Sequence, residues 1–580
     1  MSSSTTGTAS TSGPQRGDLP MTSTEMATKY SSDPQTWAEG KGVWLVTAAM
    51  VMVGLASRIA PLLNLGGRLL RQFASEDGYL MMTIARNIAL GRGMSVSEGT
   101  IATNGTQPLA TFFWAACFRL VGGDKVSGVA LVQWFSVLVA ALAAWSLYRV
   151  GRMVLRDQPW GRPVAALAAS AWFASPLNVG QSMNCLETGL YTLVMIGSVG
   201  LFVHWTGSGR KDWPLNRCVL LGLVLGVAFW ARNDAVFLVA AACFTRVSSG
   251  LYGNPPSLRR RVLETFVFGA VSVLVATPWL VNNIVRFGHL MPISGIAESA
   301  GSRFAGNLHR VPTKLMEYLS VIVSIPEAIE TRRPVLLVCS LLMAAALTLW
   351  VFTWRRASDP ARVALLLVGL DTLFLSAYYG LFFGATHFMS RYLMPVSPFL
   401  AIGTVSLMAI AWAWTRRRGW PNMAILVAVA ALVTVVLCNA RVYRGGTNHG
   451  HFQVKEWIQD NVPDEVWVGA IQTGTIGFFH DRTLNLDGKV SAPALHARLQ
   501  GRIPEYVVAS PIQYLADWSG IAGWIEIPSI RDNFELIVDD QQKNLGVMRR
   551  KSTVLARSPR SRECSCVPKC RAKAMPRPAG

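Results

Sequence analysis

Residues 75–109 read SEDGYLMMTIARNIALGRGMSVSEGTIATNGTQPL and follow the first long apolar run of the chain. Ser75 suits a helix N-cap. Glu76 and Asp77 then fall in the first turn, where the partial positive charge of a helix N-terminus favours anions, and Gly91 and Gly93 stop the helix after about Leu90. Glu76, Thr83, Arg86 and Asn87 share one face, with Leu80, Met81, Ile84 and Ile88 on the other. The pattern predicts an amphipathic helix lying on a membrane surface with two acids at its exposed tip. The plainer alternative is that the acids only complement the helix terminus.

Of the 580 residues, 51% are hydrophobic and only 15% charged, and the apolar residues are gathered into runs of about 20, the length that crosses a bilayer. Such runs lie near 43–63, 128–148, 163–178, 188–205, 218–231, 235–247, 263–283, 334–354, 363–383, 392–414 and 421–440. The run 108–121 is too short for a span and reads as a re-entrant or interfacial helix.

The net charge of +21 does not point to nucleic acid, because the basic residues form short clusters between apolar runs. Segments 149–162, 206–217, 246–262, 355–362 and 415–420 carry four, three, four, three and three Lys or Arg, against none, one and one in 179–187, 232–234 and 384–391. By the positive-inside rule the N-terminus is cytoplasmic and everything after residue 444 is outside. That topology puts Glu76, Asp77, Asn104, Asn184, Glu187, Arg232, Asp234, Asn282, Ser294, His387 and Arg391 on the outer face. An ionisable residue in an apolar span costs roughly 2.5 to 3.5 kcal/mol to insert, which marks these groups as functional candidates. The alternative is pairing within the bundle, for example Arg232 with Asp234 or Glu187.

The chain divides into a disordered cytoplasmic tail (1–41), a transmembrane domain (42–444) with external loops at 64–127 and 284–333, an extracytoplasmic α/β domain (445–548), and a disordered basic tail (549–580). Within 445–548, VWVGAI, TLNLD, YVVAS, WIEIPSI, FELIVDD and NLGVM are strand candidates. TGTIG at 473–477 lacks the spacing of a dinucleotide loop. Cys564, Cys566 and Cys570 lack a fourth ligand for zinc.

The acidic pair after the first span, followed by ARN, a G-x-G and TNGTQPL, resembles the first external loop of the GT-C superfamily, and more closely its arabinofuranosyl- and mannosyltransferases. The order continues through SMNCLE (182–187), ARND (231–234), PWLVNNIVRFGHLMPIS (278–294), RYLMP (391–395) and LNLDGK (484–489). The resemblance implies a polytopic α-helical membrane protein with a small extracytoplasmic α/β domain, transferring sugar from a polyprenyl-phosphate donor with inversion. It puts the general base on Asp77, with Glu76 as a helper or acceptor contact. The leaving phosphate needs cations, and an Arg fork suits it best, so Arg391, four residues after His387, comes first and Arg232 second, with His387 a further phosphate candidate. Asn104, Gln107, Asn184, Glu187, Asp234 and Asp487 are candidates for sugar or acceptor contacts. No metal site is assigned, although Glu76, Asp77, Glu187 and Asp234 together could hold a divalent cation. The implied partners are a lipid-linked sugar, an extracytoplasmic glycan, lipid or protein acceptor, and membrane lipids. The implied location is a bacterial inner membrane with the site facing outward. A glycolipid flippase and a lipid-phosphate hydrolase are the rival readings; a transporter predicts inverted repeats, and no convincing one is visible.

Overall fold

The computed structural model describes residues 41–63, 68–207, 212–251, 256–321, 325, 327–383, 390–417, 421–444 and 451–551. Among them, eight helices are long and apolar enough to cross a membrane. The other three runs expected to span coincide with the shorter helices Gly161–Ala174, Leu215–Ala231 and Ala235–Val247. The short run after Gln107 is the 13-residue helix Pro108–Leu120, with proline in its first turn, where its missing N–H costs nothing.

Small residues set the closeness of the bundle, as expected where lipid removes the hydrophobic drive for helices to associate. Gly222 and Gly226, one turn apart, face Val271 and Val275 of the helix Leu258–Phe287, and a Cβ on Gly222 would come within 2.6 Å of the Val271 Cβ. Ser257 caps that helix and Gly288, at φ +77°, ends it. Asp124 caps the 30-residue helix Lys125–Val154 by accepting from Ser127 N at 2.8 Å.

The C-terminal part is a five-stranded mixed sheet. β1 (Ser95–Val96) and β2 (Ile101–Ala102) form a separate small hairpin in the first loop. β3 (Val468–Ala470), β4 (Thr483–Asn485), β5 (Tyr514–Asp517), β6 (Phe534–Asp540) and β7 (Leu545–Arg550) make the sheet in the order β4-β3-β5-β7-β6. β3 pairs in parallel with β4 and β5, and β7 is antiparallel to β5 and β6.

Four of the expected strands are present and two are not. YVVAS lies in the helix Ile503–Ala509, whose Val507 is fully buried, so packing overrides the β propensity of its valines. WIEIPSI is split by Pro528, which cannot donate to a ladder, into a 3-10 turn and the helix Pro528–Asn533. The domain also runs beyond the expected boundary at 548. β7 continues to Arg550, which pairs with Phe534 and donates from its guanidinium to the carbonyls of Val507, Val508, Ser510 and Ile512. The tail cysteines lie outside the described residues.

The helix Glu76–Ala89 has the expected cap and limits, but its polar face is not open to the membrane surface. It is covered by the first loop and the C-terminal domain. Asn87 is buried and donates to Ser95 O, and Arg86, Arg92 and Lys125 converge on Asp481 at 3.2, 3.4 and 2.9 Å. Tyr79 packs against Phe452, Phe478 and Phe479.

Arg550→Ala should destabilise the C-terminal domain by about 1.5 to 3 kcal/mol, the range for hydrogen bonds to a charged group. Thermal unfolding of the full chain tests this, and an unchanged midpoint would return Arg550 to the tail.

Candidate functional site

A pocket of about 330 Å³ opens where the ends of several helices meet the C-terminal domain. Asp77 enters from the first turn of its helix, where Ser75 Oγ accepts from Gly78 N at 3.0 Å and fixes the helix start. Arg391 comes from the short turn Ser390–Tyr392 and donates from Nη1 to Asp77 Oδ2 at 2.8 Å. Lys489, in the loop after β4, places Nζ 3.8 Å from Asp77 Oδ1 and 2.6 Å from Glu298 Oε1. Burial works against the charge on Lys489, but Asp77, Asp487 and Glu298 outweigh it and hold its pKa above the ordinary lysine value. Arg391 is likewise held charged: burial works against it, and Asp77, Tyr392 and Glu187 together outweigh that burial.

A second network adjoins the first. Arg232, between the helices Leu215–Ala231 and Ala235–Val247, donates to both oxygens of Asp234, at 3.1 and 2.7 Å, and lies 3.8 Å from Glu187. Tyr379 Oη donates to Asp234 Oδ2 at 2.7 Å, and the Tyr379 ring stacks on Tyr392 with centroids 4.2 Å apart. Arg232 also donates to the carbonyl of Arg391 at 3.2 Å, so the buried pair steadies the loop that delivers Arg391.

Of the residues expected at the site, Asp77, Gln107, Glu187, Arg232, Asp234 and Arg391 line this one pocket. Gln107 has its Oε1 buried without a hydrogen-bond partner among the described residues. Asn104 stands behind the wall: its Nδ2 donates to Asn283 Oδ1 and its Oδ1 accepts from Ile293 N, which fixes the loop 288–295. Asn184 is occupied in its own turn, accepting from Leu186 N, and does not line the pocket. Asp487 sits behind Lys489 and accepts from its backbone N–H at 2.8 Å. His387 lies outside the described residues. Lys489 and Glu298 were not expected. The sequence carries a signal for Lys489, which ends the motif LNLDGK two residues after Asp487.

Glu76 turns away from the pocket. Its carboxylate accepts from the backbone N–H groups of Gly474 and Thr475 and from Thr475 Oγ1, and lies 3.3 Å from His451 Nδ1. A Cβ on Gly474 would overlap the Glu76 carbonyl, and one on Gly105 would overlap the Lys489 carbonyl, so glycine is required at both points of close approach. The four acids considered for a divalent cation therefore do not converge: Glu76 faces the C-terminal domain, Asp77 faces Arg391, and Glu187 and Asp234 face Arg232. Among the described residues no cluster of three or more His, Cys, Asp or Glu is set to hold a metal.

His451 is buried, stacked on Trp518 at 4.4 Å, with Asp517 4.0 Å beyond. Burial lowers its pKa from 6.5 to about 4, against the pull of Asp517. The unfolded chain therefore binds this proton better, and the histidine's contribution to stability is full above 6.5 and is lost as pH falls towards 4. Glu76 is pushed up by burial and contributes with the opposite sign. Thermal unfolding of wild type and His451→Gln between about pH 7 and 4 separates the two, because the variant removes only the histidine's part. The wild type's advantage should shrink on acidification, and a constant difference would contradict a neutral buried His451.

No protein-family model matches the sequence, and no curated protein sequence matches it either. Solved structures do match. ArnT from Cupriavidus metallidurans, determined with undecaprenyl phosphate bound, superposes with a TM-score of 0.54 at 13% identity, over 89% of this chain and 99% of that one. The Archaeoglobus fulgidus oligosaccharyltransferase in its apo form gives 0.54 at 14% identity, over 86% and 73%. The same organism's AglB, in complex with an inhibitory peptide and a dolichol-phosphate, gives 0.52 at 13%, over 88% and 74%. At this identity the likeness establishes the fold, which is the GT-C fold implied by the order of motifs.

Proposed function

We propose that the protein is an inverting glycosyltransferase that moves a sugar from a polyprenyl-phosphate donor to a hydroxyl of an acceptor on the outer face of the membrane. The observation that carries the reading is the Asp77 carboxylate held between Arg391 and Lys489 at the mouth of a membrane bundle. The fold neighbours, determined with undecaprenyl phosphate and dolichol-phosphate, support a lipid-phosphate donor.

In the reaction, the acceptor oxygen attacks the anomeric carbon while the bond from that carbon to the phosphate oxygen breaks. The phosphate departs with the electron pair, and the acceptor proton passes to Asp77. General-base help of this kind is worth about 100- to 10,000-fold. Arg391 and Lys489 meet the departing phosphate. Both cations oppose Asp77 in the absence of donor, so a phosphate that draws them away leaves Asp77 a stronger base. Donor binding thereby prepares the base. Arg232, its fork committed to Asp234, steadies the Arg391 loop and is second to Arg391 as a phosphate contact. Gln107, with its unpartnered Oε1, and Glu187 are placed to receive sugar or acceptor hydroxyls. Val236, Phe237, Met291 and Phe383 give the same pocket an apolar side, suited to the first isoprene units.

Asp77→Asn keeps the size and helix start but cannot take a proton at neutral pH. It should lower transfer from a synthetic polyprenyl-phosphate sugar by about 100-fold or more with donor binding retained. Glu76→Gln should act through domain docking, with loss of thermal stability exceeding loss of turnover per folded molecule. Near-normal turnover by purified Asp77→Asn would eliminate Asp77 as the base.

Arg391→Lys retains charge without the planar fork and should raise the KM for donor, with Arg391→Ala more severe. If both variants use donor at the normal rate, the phosphate is held elsewhere.

A further inference from the structure

A second cavity lies at the other end of the bundle. Arg149, Arg152, Met153 and Arg156 recur at i, i+3, i+4 and i+7 and so share one side of the end of the helix Lys125–Val154 and the turn after it. With His204, at the end of the helix Thr188–Thr206, and Pro360, at the start of Asp359–Ala377, they enclose about 410 Å³. Glu187, in the Asp77 pocket, directly precedes the helix that carries His204. The 17 helical steps from Glu187 to His204 span about 25 Å at 1.5 Å each, close to the thickness of a bilayer core. The second cavity is thus at the opposite membrane face.

The simplest account of the arginines is that they complement helix C-termini, each equivalent to roughly half a negative charge. Two such termini meet here, about one charge against three guanidinium groups. Among the described residues only Arg156 has a carboxylate neighbour, Asp157 at 3.5 Å, in a half-exposed pair of the kind worth little. Among the described residues Arg149 and Arg152 make no ion pair. Instead, each lies over an aromatic ring one turn back, Arg149 over Trp145 at 5.3 Å and Arg152 over Tyr148 at 5.6 Å. Stacking of this kind holds a guanidinium in place without neutralising it.

The surroundings select the ligand. Trp145, Leu142 and Leu138 are exposed along the same helix, so lipid-facing apolar surface runs up to the cavity. An exposed tryptophan at that level is characteristic of the headgroup boundary. The helix Asp359–Ala377 meets the rim at Pro360, but Asp359 in its own first turn offsets its positive end, so the arginines carry the attraction for anions. We infer that this cavity binds the phosphodiester headgroup of an anionic phospholipid, preferentially one with two phosphates, whose acyl chains lie along the Leu138–Trp145 surface. Basic pockets between transmembrane helices take such headgroups, while a free phosphate would use the cations and leave the apolar surface unused.

The test titrates the purified full chain in zwitterionic nanodiscs with a two-phosphate glycerophospholipid, a one-phosphate anionic lipid and inorganic pyrophosphate, counting bound molecules by native mass spectrometry. The two-phosphate lipid should bind most tightly. Arg149→Gln with Arg152→Gln should weaken it by about 30-fold, from roughly one kcal/mol per basic residue at a membrane surface. If the double variant does not fold, each single substitution should weaken binding by about fivefold. Equal retention by wild type and variants, or displacement of the lipid by pyrophosphate at comparable concentration, would overturn the proposal. The readout involves neither donor nor acceptor, so it stands apart from the glycosyltransferase reading.

Discussion

Everything at the candidate site turns on one carboxylate opposed by two cations that come from distant parts of the chain. Asp77 belongs to the segment after the first long apolar helix, Arg391 to a turn 314 positions later, and Lys489 to the C-terminal domain. None of the three is deep in the bundle, yet each is sheltered enough for charge to matter more than it would in water. A carboxylate so placed cannot be assembled by a transmembrane bundle alone, because Lys489 arrives only when the C-terminal domain is seated. Docking of that domain is therefore part of building the site.

The seating explains features that otherwise look incidental. Arg86, Arg92 and Lys125 converge on Asp481, and Arg482 reaches Glu98 at 2.9 Å, so the first loop and the domain exchange charge in both directions. Exposed pairs of this kind contribute little individually, but several sharing one acid and backed by the Tyr79 aromatic cluster act together. Gly105 and Gly474 then allow backbone-to-backbone contact on either side of Asp77. The site lies at a seam held from both edges.

Much of this was legible in the sequence, and the part that was not has identifiable causes. Helix periodicity and caps are local signals, so the Glu76–Ala89 helix, its Ser75 cap and all the expected apolar runs coincide with helices. Charge alternation between loops then grouped Asp77, Glu187, Arg232, Asp234 and Arg391, and these do share one pocket. What an acidic helix face meets is a tertiary fact. Read alone, the face of Glu76 and Asn87 suggests an open surface, whereas in the fold the first loop covers Asn87 and the C-terminal domain covers Glu76. Lys489 was missed for a related reason: the motif LNLDGK marks its loop, but which side chain of that loop reaches the pocket is again a tertiary fact. Asn104 and Asn184 belong to the right motifs, but polar side chains inside tight loops satisfy backbone groups as readily as they meet ligands. The misread strands at 506–510 and 524–530 show β propensity yielding to a proline or to packing.

The adjacency of Glu76 and Asp77 is the feature that joins the two halves of the molecule. Neighbours on a helix point about 100° apart, so two acids in one first turn must address different surroundings. Glu76 meets backbone N–H groups of the C-terminal domain and Asp77 meets the pocket cations. Any rotation or fraying of this one turn moves both contacts together, since Ser75 fixes them through a single cap. Loss of the domain contact at Glu76 would thus be felt at Asp77 without any change to the pocket's own residues. Two carboxylates that look like one pair in sequence divide the work instead, one holding the domain and the other facing the pocket cations.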